Sequence, residues 1–344
     1  MTTLMRAGII GLLVAVAGAA ALAEQTPLDV RFVFEKPCDR TCLEGWLDRY
    51  VDAFVAHDPS RLAHRGGITF TENGQRLELG DGAWRTVTAK GGYALKITDV
   101  EMGQAVLMGT IREADVPTIF VLRLRIVILA RVGPVIAEIE TLVIRNQMAA
   151  ESLDRIARPR TAWYEAVPPA ARMSRSDLVR IANWYFSGIE RNDGKGAYPI
   201  SKNCARLENG SVTAGDPALV LGDAAAAGRG GARTGCLQQF QSGVFFYVTR
   251  IRDRRFVAVD PERGLAFAFA FFDNASGDTR KGTLADGRTV VSGPSVPWTW
   301  QIAEVFKIEN GEIGPVESVL HQVPYGMGSG WSSWEEAMSS TPRW

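Results

Sequence analysis

Histidine is scarce in this chain. Only His57, His64 and His321 occur in 344 residues, too scattered for a metal cluster, and no HExxH or paired CxxC spacing accompanies them. Zinc therefore has no evident ligand set. A Walker loop, a dinucleotide fingerprint following a strand and a GxSxG elbow are missing as well. Chemistry, where there is any, is expected to be cofactor-free. Neither sign of charge is in excess, since 38 Lys and Arg balance 38 Asp and Glu, so no nucleic-acid partner or polyanionic substrate is implied. After the first two dozen residues no apolar run reaches membrane-spanning length.

What is present begins with an export signal. "MTTLMRAGIIGLLVAVAGAAALAEQ" carries one basic residue, an Ala/Leu/Val run and then Ala21-Leu22-Ala23, the small-x-small pattern of a cleavage site. Residues 1–23 read as a signal peptide, with an uncleaved anchor as the alternative. The mature protein is expected in the periplasm or secreted, free of the membrane. Four cysteines in an exported chain suggest two disulfides. Of three connectivities, local pairing gives Cys38–Cys42 and Cys204–Cys236, and the longer loop would contribute roughly 3–4 kcal/mol in a chain-entropy account. Between the second pair, the Gly/Ala-rich stretch 222–235 lacks the strand-to-helix context of a phosphate loop and reads as a flexible insertion.

The chain repeats itself. "FTENG" at 70–74 returns as "RLENG" at 206–210. A helical pattern precedes each: Leu43, Trp46, Leu47, Tyr50, Val51 and Phe54 in one case, Leu178, Ile181, Ala182, Tyr185 and Phe186 in the other. Asp58, before Pro59, reads as the cap of a second short helix rather than a catalytic group. Long strand-like runs follow each repeat, ending in "IETLV" and "VESVL". Each half is thus an α+β unit, helices first and then a curved antiparallel meander with helices on one face. The expected layout is a first domain over 24–155, a Pro-containing linker over 156–173, and a second domain over 174–344 with an insertion at 211–243 and an aromatic tail.

A helix pair followed by a strongly bent sheet resembles the nuclear-transport-factor-2-like superfold, including SnoaL-like proteins. The phrases "TENG…LELGDGAW", "RLENG", "TRIRDRRFVAVDPERGL" and "VPYGMGSGW" resemble an exported tandem family of fungi and bacteria without a settled function. The resemblance implies two tandem cone-shaped domains, each with a cavity between helices and sheet. Such cavities serve isomerisation, dehydration, aldol-type or hydrolytic steps, or binding alone; fold does not fix which.

Strand alternation shows which residues could share a cavity. Pairing outward from the Asn310-Gly311 turn sets Glu309 opposite Glu312, Glu304 opposite Glu317 and Trp300 opposite His321. Two carboxyls among large apolar side chains would have at least one pKa raised, as a general acid or base requires. The same construction around Val132-Gly133 sets Arg125 opposite Glu140, a matched ion pair, so the second half is the better catalytic candidate. A one-residue slip would undo the acid pair, and arginines of "TRIRDRR" could instead satisfy it. In that stretch Arg250 and Arg252 share a face before a turn near Asp253, either holding a substrate anion or clamping nearby acids. Glu72 and Glu208 belong to Asn-Gly turns but could face the cavities. Tyr185 and Tyr198 are candidate hydroxyl donors, and Tyr325, Met327 and Trp331 in the Gly-rich tail could form a lid or pack on the partner domain.

These residues point to a lyase or isomerase acting on a small polar or aromatic metabolite. Glu317 would be the base, Glu304 the paired acid, His321 an alternative proton carrier and Arg252 the anion stabiliser. Arg250, Glu208, Tyr185, Trp300, Tyr325 and Trp331 would line the substrate. A non-catalytic binding protein and an assembly module, oligomeric through its open sheets, are the other two readings.

Overall fold

The computed structural model describes residues 38–218 and 234–344; the signal segment and most of the Gly/Ala-rich stretch lie outside them. Helix α1 (Arg40–Val55) starts where Asp39 accepts a hydrogen bond from the Cys42 amide, and it buries Leu43, Trp46, Leu47, Tyr50, Val51 and Phe54. Strands β1 (His64–Glu72) to β6 follow: β2 (Gln75–Arg76), β3 (Val87–Asp99), β4 (Gln104–Glu113), β5 (Val116–Leu129) and β6 (Gly133–Ile144). Helix α2 (Gln147–Ile156) closes this half. Helix α3 (Arg175–Glu190) opens the next, capped by Ser174 and as long as α1 at 16 residues. Then come β7 (Arg206–Glu208), β8 (Ser211–Ala214), α4 (Cys236–Ser242), β9 (Arg250–Asp260), β10 (Leu265–Asn274), a small hairpin β11 (Lys281–Thr283) and β12 (Thr289–Val291), β13 (Trp298–Glu309), β14 (Glu312–Val323) and the short α5 (Trp334–Ala337). The cysteines close locally, as Cys38–Cys42 and Cys204–Cys236. Asp58 caps a 3-10 turn over Pro59–Arg61. Among the described residues no helix is long and apolar enough to cross a membrane.

The two large sheets have the same strand order, β2-β1-β6-β5-β4-β3 and β8-β7-β14-β13-β10-β9. They are mixed rather than wholly antiparallel, because β1 runs parallel to β6 and β7 parallel to β14. Only strands joined by tight hairpins must be antiparallel. Each parallel pair joins the first and last strands of a half, the first being nine residues long in β1 but three in β7, with the meander between them.

The repeated Glu-Asn-Gly phrase sits at this parallel seam. Asn73 and Asn209 have left-handed backbones, with φ of 49° and 48°. Each side-chain amide pairs with the backbone of the last strand. Asn209 Nδ2 donates to Leu320 O at 2.9 Å and Oδ1 accepts from Leu320 N at 3.0 Å, while Asn73 does the same with Val143. Asparagine tolerates the left-handed region and carries both a donor and an acceptor, so one residue makes the turn and extends the ladder. The phrase recurs because the seam recurs.

Side-chain alternation separates three cores. Helix α1 packs on one face of the first sheet, through Phe54, Phe120, Leu122 and Leu124. Helix α3 packs on one face of the second, through Tyr185, Phe186, Ala268 and Phe306. The opposite faces meet each other: Val106, Met108, Val121 and Leu142 of the first sheet share a core with Phe267, Phe269, Ala303 and Val305 of the second. Ion pairs cross the same junction, Arg255 to Glu140 at 2.6 Å and Arg40 to Asp260 at 2.6 Å. The tail beyond β14 straps the halves together. Trp331 Nε1 donates to Thr71 Oγ1 at 2.8 Å, and the Arg343 backbone pairs with Arg254 and Phe256 on the edge strand β9.

Candidate functional site

The β13–β14 hairpin decides which carboxyls can meet. Its tip pairs Glu309 with Glu312, but between Ile308↔Ile313 and Phe306↔Val316 two steps of β13 oppose three of β14. Gly314 and Pro315 fill that bulge, and proline cannot donate to the ladder. Register therefore slips by one. Glu304 pairs with Ser318, Glu317 with Val305, Trp300 with Gln322 and His321 with Gln301. The expected Glu304–Glu317 acid pair does not form, since the two point to opposite faces. In the first half a bulge and a longer loop act likewise: Arg123 pairs with Glu140, and Arg125 with Glu138.

Glu317 faces the junction between the sheets, where Tyr93 Oη donates to its carboxylate oxygens at 2.8 and 2.9 Å. Burial pushes its pKa up to about 7, against the hydrogen bond from Tyr93. His321 Nε2 lies 2.9 Å from Gln301 Oε1, beside a separate cavity that also touches Asn73, Arg145 and Asn209. Burial, with a smaller contribution from Arg145, lowers its pKa to about 4. Neither residue can exchange a proton directly with Glu304 across the sheet.

Glu304 lines a cavity of about 220 Å³ between α3 and the second sheet. Ala268, Glu304, Ser318 and Glu208 form one row across β10, β13, β14 and β7. The next row holds Ala270, Ile302 and Leu320, and beyond it lie Phe272 and Trp300. In the opposite direction Arg206 pairs with Val316. Its guanidinium donates to Tyr185 Oη at 2.8 Å, to Thr213 Oγ1 at 2.9 Å and to Gln239 Oε1 at 2.8 Å, and its Nε lies 3.1 Å from Glu208 Oε1. Burial works against the Arg206 charge, but Tyr185 and Glu208 outweigh it and hold its pKa above the usual value. Burial pushes the Tyr185 hydroxyl up as well, so it stays protonated.

Glu304 is 3% exposed, and among the described residues its carboxyl has no hydrogen bond; its Oε2 is buried without a partner there, as is Ser318 Oγ. Burial first, and then the charge of Glu208, push its pKa up to about 8, with Arg206 opposing. Near neutral pH it is a protonated acid beside an ion-paired carboxylate.

In the first half the positions equivalent to Glu304 and Arg206 are apolar. The corresponding row reads Leu107, Leu122, Thr141 and Glu72, and Phe70 stands where Arg206 does. Phe54 and Phe120 replace Ile189 and Ile302, and their rings stack at 5.1 Å with Trp84 packed edge-on against Phe54. Tyr50, the counterpart of Tyr185, accepts from Trp84 Nε1 at 3.0 Å. Glu72 turns away to accept from the Ala83 amide at 2.8 Å. Smaller residues and polar ones together open the second-half cavity.

Tyr185, Glu208, Trp300 and Glu304 therefore come together, and the other candidates do not join them. Arg250 and Arg252 share a face as expected, but both bind Asp273, at 2.6 and 2.9 Å, and Arg252 is fully buried. No turn interrupts them at Asp253, where β9 bulges and continues. Tyr325 is largely exposed, and Trp331 stacks on Arg123 at 4.5 Å over the first half. Tyr198 packs edge-on against Phe240. Sequence reasoning missed Arg206 and Ser318. The signal for Arg206 lay in the first letter of the repeat, where "FTENG" becomes "RLENG". Among the described residues no group of three or more His, Cys, Asp or Glu is placed to hold a metal ion.

Residues 171–320 match a family model described as a domain of unknown function (DUF8021), so the cavity lies in the matched part. No curated protein matches the chain. Among solved structures, a de novo designed protein with a curved β-sheet is 13% identical, over 43% of this chain and 88% of that one, at a TM-score of 0.23. That likeness is too slight to bear on the fold.

Proposed function

We propose that the second half is an exported, cofactor-independent acid/base catalyst of the lyase or isomerase class. Its substrate is a small polar or aromatic metabolite bound between α3 and the sheet. Glu304 supplies the proton and Glu208, ion-paired with Arg206, is the base; this reassigns to Glu208 the role first given to Glu317. Tyr185 and Arg206 fix the geometry of that carboxylate. Proton abstraction next to a carbonyl, or β-elimination of a hydroxyl, requires such an acid and base side by side. The observation that carries the reading is the Glu304 carboxyl, buried at a cavity wall without a hydrogen bond among the described residues, one row position from Ser318 and two from Glu208. An unsatisfied buried group costs about 1–3 kcal/mol, a cost a protein tolerates at a working site more readily than elsewhere. The resemblance to cone-shaped nuclear-transport-factor-2-like domains agrees, because there too the cavity lies between helix and sheet. Two disulfides and the N-terminal segment agree with an oxidising, extracytoplasmic location.

The test is conversion of small hydroxycarbonyl compounds followed by NMR, comparing the natural protein with Glu304→Gln. Glutamine keeps the shape and removes the acid, so turnover should fall by about 10²–10⁴ with the fold unchanged by circular dichroism. Turnover that survives in Glu304→Gln would overturn the assignment. A ligand that binds saturably and is recovered unaltered would make the cavity a binding site instead.

A further inference from the structure

Two oxygen atoms in the cavity wall lack partners, Glu304 Oε2 and Ser318 Oγ, and they belong to residues paired across β13 and β14. Buried polar atoms are normally satisfied, so this pair is a template for hydrogen-bonding groups supplied from outside the protein. Directly paired residues have Cβ atoms about 4.5–5.5 Å apart, which suits two oxygens on neighbouring atoms of one ligand. A protonated carboxyl and a hydroxyl can each donate and accept, as a ligand hydroxyl can.

Charge narrows the ligand further. Arg206 is committed to Thr213, Tyr185, Gln239 and Glu208, which leaves it no ready fork for a ligand carboxylate. An anion would also meet Glu208, and a cation would meet Arg206. Beyond the polar row the walls are Ile302, Leu320, Phe272 and Trp300, which suit the C–H faces of a ring. The volume, about 220 Å³, is that of about seven waters at ~30 Å³ each, room for a single six-membered ring with its substituents. The first half lacks the acid and the cation, because Leu122 and Phe70 replace Glu304 and Arg206.

We infer that the cavity takes a neutral, polyhydroxylated single-ring compound, a monosaccharide or cyclic polyol, held through neighbouring oxygens by Glu304 and Ser318. This rests on the reading of the cavity as the functional site, and it selects the polar over the aromatic substrate class.

The experiment is saturation-transfer NMR on the full mature chain. The probes are glucose, galactose, xylose and myo-inositol, with charged comparators glucuronate and glucosamine and aromatic comparators phenol and acetophenone. At least one neutral sugar or polyol should bind saturably, about tenfold or more weakly to Ser318→Ala, and not to Glu304→Leu. Glu304→Leu installs the first-half residue, so the variant should remain folded. Tighter binding of glucuronate or glucosamine than of any neutral probe overturns the inference, as does polyol binding that both variants retain. Glu304-dependent binding of phenol or acetophenone without any polyol binding overturns it too, while leaving the acid/base reading standing. If no probe binds in a Glu304-dependent way, both fail.

Discussion

At the scale of single residues, a handful of differences between the cavity wall of the second half and its equivalent in the first have physical consequences. Glu304 stands where Leu122 fills a core, so Glu304→Leu should raise stability by about 1–3 kcal/mol, the penalty of an unsatisfied buried group, while abolishing function. Denaturant unfolding of the two proteins at pH 8 checks this, and lower stability in the variant would mean the carboxyl has a partner in the folded protein. The pH dependence has a definite sign. The Glu304 pKa rises from 4.5 to about 8 on folding, so its contribution is most favourable below pH 4.5 and is lost as pH rises through 8. Glu317, raised to about 7, behaves alike over a narrower window. His321, lowered from 6.5 to about 4, acts oppositely, adding stability as pH rises from 4 to 6.5. Between pH 6.5 and 8 the two carboxyls act unopposed by the histidine. The natural protein should therefore lose more stability across that interval than Glu304→Gln does, and equal slopes would argue against a protonated Glu304. Turnover, where found, should have an alkaline limb near pH 8.

At the scale of elements, what was legible in the sequence was local. Helices α1 and α3 follow from apolar spacing, and the duplication follows from a five-residue phrase. The parallel seams were hidden because the paired strands lie far apart in sequence. Register was hidden by one residue. Gly314-Pro315 looked like ordinary strand, yet a proline there cannot bond to its neighbour, and the resulting bulge turns Glu317 out of the site. The asparagines of the repeated phrase support a prediction at this scale. Asn209→Ala would lose both hydrogen bonds to Leu320 and place alanine in a left-handed backbone. Two bonds at ~1 kcal/mol each and 1–2 kcal/mol of strain predict a loss of about 3–4 kcal/mol. Asn209→Gly should restore the strain part alone, and denaturant midpoints for both variants would separate the two contributions. If alanine and glycine cost the same, the left-handed backbone carries no share.

At the scale of the whole molecule, the two halves differ in how their cores are filled. Phe54, Phe120 and Trp84 fill the core under α1, and the opposite face of the first sheet packs on the corresponding face of the second. Open curved sheets commonly pair between chains, but here that surface is already used within one chain. Light scattering should therefore report a monomer, and a dimer would mean that some other surface associates. The first half also supplies Tyr93, whose hydroxyl holds Glu317 within the junction. Tyr93→Phe removes this contact and leaves a buried carboxyl bare, which should cost about 1–3 kcal/mol and cost more at pH 8 than at pH 5, because the ionised form depends on the donor more strongly than the protonated one. Glu317→Leu in the same chain removes the group left unsatisfied and should recover much of the loss. A double-mutant cycle measures this coupling directly. Additive effects would show that the Tyr93–Glu317 contact adds nothing to the apolar packing and ion pairs of the junction, whereas strong coupling makes the first half a structural support for the strand that carries Ser318.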